Sequence, residues 1–371
     1  FDLRPEAQYY VAESYINLKN YQKAVQGYQE VIEHYPKSMW ADDAQYGIAT
    51  AYEDQGKSQK ALQAYNHLIK DYPDSLLAPD VQIHIGRFYF IEKNYSRAIS
   101  EFQKVIDQYG RSESSSLARY HIGKSYLEIG SFKQAISAFE KVSKKSELAA
   151  TSRYEAGYVW YNKNNPGRNL EKAITAFLLV AREYPSSNDA PQALLLAGNC
   201  NQELLRWSEA AEIYRTILDK YDSSEQAKMT QLLLGHVYRA QKQYPKAISA
   251  YAKIRDGGSD QYPVEIVIDA ELRLAETLSL NGQHYEAGST YLRVRHLREQ
   301  HSPLTALHAA VRAADAYVKA KKELLAKDSY EDAISLYQNY ISSVNTNQKK
   351  DWDQLHQYAA KMYQELLQKI Q

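Results

Sequence analysis

Apolar and polar positions along this chain fall into a frame that returns about every 37 residues. Residues 43–73 show it most plainly. Ile48, Ala49 and Tyr52 lie at helical spacing, Gly56 interrupts, and Ala61, Leu62, Tyr65 and Leu68 follow at i, i+1, i+4 and i+7 before Pro73. Residues so spaced form one stripe of an amphipathic helix; glycine stops the first helix and proline cannot continue the second. Each unit is therefore expected to be two antiparallel helices joined by a tight turn.

An alanine marks the frame: Ala24, Ala61, Ala98, Ala135, Ala173, Ala210, Ala247, Ala287 and Ala333, at spacings of 37, 37, 37, 38, 37, 37, 40 and 46. Four residues after each stands an aromatic: Tyr28, Tyr65, Phe102, Phe139, Phe177, Tyr214, Tyr251, Tyr291 and Tyr337. Ala12, Ala49, Gly86 and Gly123 precede the first four alanines by twelve positions, and Gly198, Gly235 and Ala275 hold that place later. Small side chains let the two backbones approach, and the aromatics fill the space beside the contact. A period of this length marks a solenoid of units that cannot bury their apolar faces alone. The fold class is all-α, with a solenoid over 1–350 in units 5–38, 42–75, 79–112, 116–147, 150–187, 191–224, 228–258, 268–298 and 307–344. Residues 351–371 read as a C-terminal capping helix, with Leu355, Tyr358, Ala359, Met362, Leu366 and Ile370 on its apolar side. Three irregularities are expected: an insertion at Asn162–Gly167, a Gly-rich loop at Asp256–Asp260, and seven extra residues around Lys319–Lys327.

These features resemble the tetratricopeptide repeat (TPR), which couples a small residue and an aromatic in helix A to an alanine and an aromatic in helix B, with a closing proline. The resemblance covers essentially the whole chain and implies a right-handed α-α superhelix. One departure is systematic, because the family's period is about 34. The extra residues lie after helix B, in Tyr35-Pro36-Lys37-Ser38, Tyr72-Pro73-Asp74-Ser75, Tyr109-Gly110-Arg111-Ser112, Tyr184-Pro185-Ser186-Ser187 and Tyr221-Asp222-Ser223-Ser224. This connector is similar to that of bacterial envelope TPR proteins of the Tol-Pal-associated and outer-membrane assembly lipoprotein types. The address it implies is periplasmic or outer-membrane-associated, with the cytoplasm as alternative. A serine after the proline is also placed to cap the next helix.

The resemblance further implies a groove lined by helix A, at positions three before, one after and four after the small residue. Carried onto this chain, those positions include Tyr9, Tyr46, Arg87, Phe90, Tyr120, Lys124, Tyr154, Tyr158, Tyr161 and Arg239. Tyrosines flanked by basic groups suit an extended peptide or a helix, because rings give contact area at low entropic cost. The alternative is that the three-before row packs beneath neighbouring helices. The Lys, Arg and Asn pattern by which some TPRs hold a carboxyl terminus is absent.

Composition narrows this reading. The 45 basic and 45 acidic residues cancel, so no global field recruits nucleic acid, and no run reaches the roughly 18 apolar residues of a membrane span. Charge is uneven along the chain: residues 1–74 hold 7 Lys/Arg and 11 Asp/Glu, and residues 293–327 hold 8 and 3. Cys200 is the single cysteine and reads as a small buried residue. His296, His301 and His308 are separated by Pro303 and read as packing or solvated side chains rather than ligands. Asn94-Tyr95-Ser96 and the acidic pairs Asp42-Asp43 and Glu53-Asp54 read as helix-end chemistry. No phosphate loop, nucleophile elbow or helical zinc motif is present. The chain begins at Phe1 and enters the pattern by Tyr9, so upstream sequence is expected.

The sequence thus points to a non-catalytic scaffold without metal or cofactor, binding a protein or peptide partner. Self-assembly into a homo-oligomer and service as the docking arm of a larger protein are the rivals. Replacing Ala61 or Ala98 by Leu is expected to overpack the seam and cost about 1–3 kcal/mol in urea denaturation.

Overall fold

The structure, a computed structural model, describes residues 3–110, 113–299, 302–344 and 346–370. Among these residues there are nineteen α-helices and no strand. They divide between Ala190 and Pro191 into two units. The first holds α1 (Arg4–Asn17), α2 (Tyr21–His34), α3 (Ala41–Asp54), α4 (Ser58–Asp71), α5 (Ala78–Ile91), α6 (Tyr95–Tyr109), α7 (Glu113–Glu128), α8 (Phe132–Glu140), α9 (Ala149–Tyr161) and α10 (Leu170–Glu183). The second holds α11 (Asp189–Glu203), apart from its first residues, then α12 (Trp207–Lys220), α13 (Glu225–Ala240), α14 (Tyr244–Gln261) and α15 (Val264–Leu280). It continues through α16 (His284–Arg298), α17 (Pro303–Lys319), α18 (Glu323–Tyr340) and α19 (Thr346–Ile370). Consecutive odd and even helices form the repeats, and α19 follows the ninth. His301 and the pair Arg111 and Ser112 lie outside the described residues.

Eight of the nine repeats join their helices by the same turn. The second residue past the first helix's end adopts positive φ: Lys19, Gly56, Lys93, Gly130, Leu205, Lys242, Gly282 and Lys321. The next amide donates back to the last turn, as from Asn20 N to Tyr15 O at 2.8 Å and from Lys322 N to Tyr317 O at 2.9 Å. This is the Schellman closure, which satisfies carbonyls that a helix end leaves open. Repeat five differs. Residues 162–169 separate α9 from α10, as the sequence foresaw. Buried Asn165 organises the insertion, donating Nδ2 to Val159 O at 2.9 Å and accepting from Gly167 N at 2.8 Å.

The core runs along the seam inside each pair and on into the next, one buried cluster reaching from Ala12 of α1 to Ile85 of α5. Tyr28, Tyr65, Phe102, Phe139, Phe177, Tyr214, Tyr251 and Tyr330 are all essentially buried, as are the frame alanines. In several repeats the ring meets a first-helix glycine with no room to spare. A Cβ at Gly198 would stand 2.2 Å from Tyr214, and one at Gly86 2.4 Å from Phe102. Glycine is required there because the ring occupies the space of a side chain.

Four expectations need correction. In repeat nine the frame residues are Ala326 and Tyr330, not Ala333 and Tyr337. The second helix begins at Glu323, three residues before Ala326, as Tyr21 precedes Ala24; no seven-residue insertion exists around Lys319–Lys327. Tyr337 instead donates to Asp353 of α19 at 2.7 Å and stacks on His356 at 4.0 Å. The segment Asp256–Asp260 holds a break, as expected, but one of a single residue rather than a loop: the helical backbone of α14 is interrupted at Gly258, with φ 56° and ψ −160°, and resumes to Gln261. The connector serines mostly do not cap the next helix, Ser224 excepted. Ser75 accepts from Leu77 N at 3.1 Å and donates to Asp42, at the start of the previous first helix, at 2.6 Å. Ser146 ties to Glu113 in the same way. The terminal helix starts at Thr346, ahead of residue 351.

Candidate functional site

The three rows assigned to the first-helix faces carry different burdens. In the three-before row each tyrosine rests on the second-helix ring of its own repeat. Ring centroids are 5.6 Å apart for Tyr9 and Tyr28, 6.0 Å for Tyr46 and Tyr65, 5.8 Å for Tyr120 and Phe139, and 5.7 Å for Tyr154 and Phe177. All four tyrosines are half-buried, while Ile83 and Leu232 in the same row are buried. This row is rooted in the core and offers only its outer edge.

The one-after row depends on the chemistry of the buried ring. Tyr28 donates its hydroxyl to Glu13, Tyr214 to Asn199 Oδ1 at 2.7 Å, and Tyr330 to Asp315 Oδ1 at 2.5 Å. In these three repeats the one-after residue supplies the acceptor that a buried phenol needs. Tyr65 is met instead by His84 Nδ1 of the next repeat at 3.2 Å, and Tyr251 Oη has no hydrogen-bond partner among the described residues. Burial, aided by the facing carboxylate, pushes the Tyr28 and Tyr330 hydroxyls far above the usual range. Repeats three to five carry Phe102, Phe139 and Phe177 instead, and there the row reads Arg87, Lys124 and Tyr158. Without a hydroxyl beneath, these positions are released from that duty. Arg87 is exposed, Tyr158 is 43% exposed, and Lys124 Nζ lies 3.2 Å from Glu155.

In the four-after row, Phe90 packs edge-on against Tyr95 at 5.4 Å. Tyr161 lies beneath the Arg168 guanidinium at 5.7 Å, and Arg168 Nε also donates to Tyr161 O at 2.9 Å. The insertion of repeat five thereby holds one end of a ring series. Tyr154 and Tyr158 stack at 6.4 Å, and Tyr158 and Tyr161 stand at 6.2 Å. Arg239 is engaged elsewhere: it meets Glu276 at 2.9 Å, beside Arg273 at 3.2 Å and Arg312 at 2.8 Å. Three first helices thus converge on one carboxylate. Burial opposes ionisation of Glu276, but the three arginines prevail and hold its carboxyl below the usual range.

Several site residues escaped the sequence reading. His84 accepts or donates at both ring nitrogens, with Tyr46 Oη 3.3 Å from Nε2 and both Tyr65 Oη (3.2 Å) and Glu53 (3.3 Å) at Nδ1. His121, 37 residues on, stacks on Phe102 at 5.1 Å. Burial chiefly, then the charges of Arg87 and Lys124, push His121 down to about 4. Their signal was the period itself, as it was for Arg239, Glu276 and Arg312, spaced by 37 and 36. Among the described residues no three His, Cys, Asp or Glu side chains are grouped to hold a metal, and Cys200 is buried.

Models of the tetratricopeptide repeat family match residues 6–38 and 43–75, and residues 120–188 and 195–263, together more than half of the chain. Among solved structures, the C-terminal part of a TPR repeat-containing protein from Cytophaga hutchinsonii is similar, with TM-score 0.51 and 17% identity over 67% of this chain and 94% of that one. A tetratricopeptide repeat protein from Parabacteroides merdae gives 0.42 and 15%, covering 75% and 100%. PilW, a widely conserved type IV pilus biogenesis factor, gives 0.41 and 17%, covering 61% and 97%. No curated protein matches.

Two outcomes are expected. Phe139→Tyr buries a hydroxyl opposite Lys124 and costs about 1–3 kcal/mol in urea denaturation; adding Lys124→Asn recovers most of it, as Asn199 serves Tyr214. The depressed His121 pKa favours the folded state only while the ring is neutral. Its contribution is complete above the ordinary value of about 6.5 and is lost as pH falls through about 4, roughly 3 kcal/mol in all. His121→Gln should therefore flatten the acid limb of a stability-against-pH curve between those values.

Proposed function

Because the chain belongs to the tetratricopeptide repeat family, we propose that it is a non-catalytic scaffold that holds a protein or peptide partner on the first-helix face of repeats three to five. Repeats of this family generally serve protein–protein interaction. The observation that carries the placement is the run of phenylalanines at 102, 139 and 177. It frees Arg87, Lys124 and Tyr158 from serving the core, and it does so in three consecutive repeats. The partner meets the stacked edge of Tyr154, Tyr158 and Tyr161 and the guanidinium of Arg87. Rings supply apolar area with few rotatable bonds, and their hydroxyls accept or donate to a peptide backbone. The Tyr-Pro-x-Ser connectors, with Pro at 36, 73 and 185, support work within an assembly of the bacterial cell envelope.

Affinity capture from the native cell extract, followed by titration of the purified catch, tests this. Arg87→Glu with Tyr158→Ala changes two exposed positions and should leave the helical circular dichroism intact. The expected result is at least a tenfold loss of affinity in the double variant. Equal affinity for both proteins would move the site off this face, and a catch of nothing but the bait would favour self-assembly.

A further inference from the structure

A cavity of about 750 Å³ in the second unit lies away from these faces, among α12, α13 and α14. Its architecture has an internal counterpart. A cavity of about 400 Å³ in the first unit is lined by ten residues, each of which recurs 186 positions later in the larger one. Gln45 and Tyr52 of the smaller cavity thus answer to Gln231 and Tyr238 of the larger. The notch is therefore a product of repeat geometry, and its size and charge are what distinguish the second copy.

Both have changed in one direction. Gln29 becomes Arg215, His67 becomes Lys253, and Lys60 is kept as Lys246, while Lys228 joins the wall. Of these four cations only Lys228 has a carboxylate partner among the described residues, Glu225 at 2.8 Å. Arg215 Nε donates to Ala211 O at 3.3 Å, and Lys246 lies over the Tyr238 ring at 5.6 Å. Asp219 and Asp222 also line the cavity and form no ion pair among the described residues, so the wall is mixed with a net positive charge. The extra wall comes from Gly257 and Gly258. After the break at Gly258 a further helical turn runs to Gln261, past the place where Tyr72-Pro73 ends the second repeat. A Cβ at Gly257 would stand 2.6 Å from Gln261 and 2.8 Å from Tyr262, the two residues that close the notch.

We propose that this cavity binds an acidic peptide segment of a partner protein, as a second site independent of the first-helix face. Carboxylates on the segment meet Arg215, Lys246 and Lys253. Its backbone N–H groups donate to Asp219 and Asp222, which would repel a polyphosphate that brings no donor. Tyr238 and Tyr262 cover the peptide chain, and the volume falls within the range of ligand-sized clefts.

The test is fluorescence anisotropy with a fluorescein-labelled six-residue peptide alternating glutamate and serine, at low salt where exposed charges act most strongly. The whole chain is compared with Lys246→Glu/Lys253→Glu and with Lys60→Glu/His67→Glu, all exposed positions. Saturable binding weakened at least tenfold by the first pair of changes and unaltered by the second is expected. Absence of binding, or equal loss in both variants, overturns the site. Tripolyphosphate binding in place of the peptide overturns the ligand assignment. Tyr262→Ala should weaken the peptide with its charges intact; an unchanged affinity there would overturn the role of the glycine-built wall.

Discussion

One contact governs this molecule: an aromatic ring on each second helix pressed against a first-helix residue with little or no side chain. Where that residue is glycine, as at Gly86 or Gly198, the ring stands where a methyl group would be. The two helices can then approach closely enough for the ring's far edge to reach the opposite face. There its chemistry is felt at the surface. Glu13, Asn199 and Asp315 answer the hydroxyl at that edge in three repeats, and His84 of the next repeat answers Tyr65, whereas Tyr251 Oη has no partner among the described residues. Phenylalanine asks for nothing. In the repeats of Glu13, Asn199 and Asp315 a core tyrosine thus commits a surface position to folding, and in those of Phe102, Phe139 and Phe177 no such commitment arises.

Much of the fold was legible because it is periodic. Helix pairs, their turns and the insertion before α10 follow from Ala, Gly and aromatic positions that recur at a fixed interval. Repeat nine misled because α18 contains two pairs with the same spacing, Ala326 with Tyr330 and Ala333 with Tyr337. They lie seven residues apart and so on one helical face; only the start of the helix at Glu323 decides between them. Gly257 and Gly258 were legible as a break, and the break is there, but it takes one non-helical residue, Gly258, rather than a loop. The serines were assigned to local capping, but Ser75 bonds Asp42, 33 residues earlier, a pairing no local rule contains. For the site, the tyrosine series was visible as a row, whereas its division into core-rooted and released positions depends on where the buried hydroxyls point.

The zero net charge conceals two opposite local arrangements. Around Glu276, three arginines from consecutive repeats are drawn onto one half-buried carboxylate. Such a group fixes the register between neighbours, and removing its carboxylate leaves cations crowded together. Around the cavity of α12 to α14, Arg215, Lys246 and Lys253 have no carboxylate partner among the described residues, and Asp219 and Asp222 offset only part of their charge. The first arrangement is closed on itself, and the second faces outward.

The turns between helices carry a further consequence. Five of them place a residue other than glycine in the left-handed region, namely Lys19, Lys93, Leu205, Lys242 and Lys321. Each side chain there opposes its own backbone by about 1 kcal/mol. In a stack where each repeat leans mainly on its neighbours, that strain is not shared across a common core. Repeats two, four and eight, which turn through Gly56, Gly130 and Gly282, are relaxed at the same point. The chain is thus a sequence of stiffer and looser links, and thermal opening should travel unevenly along it rather than strike every repeat alike.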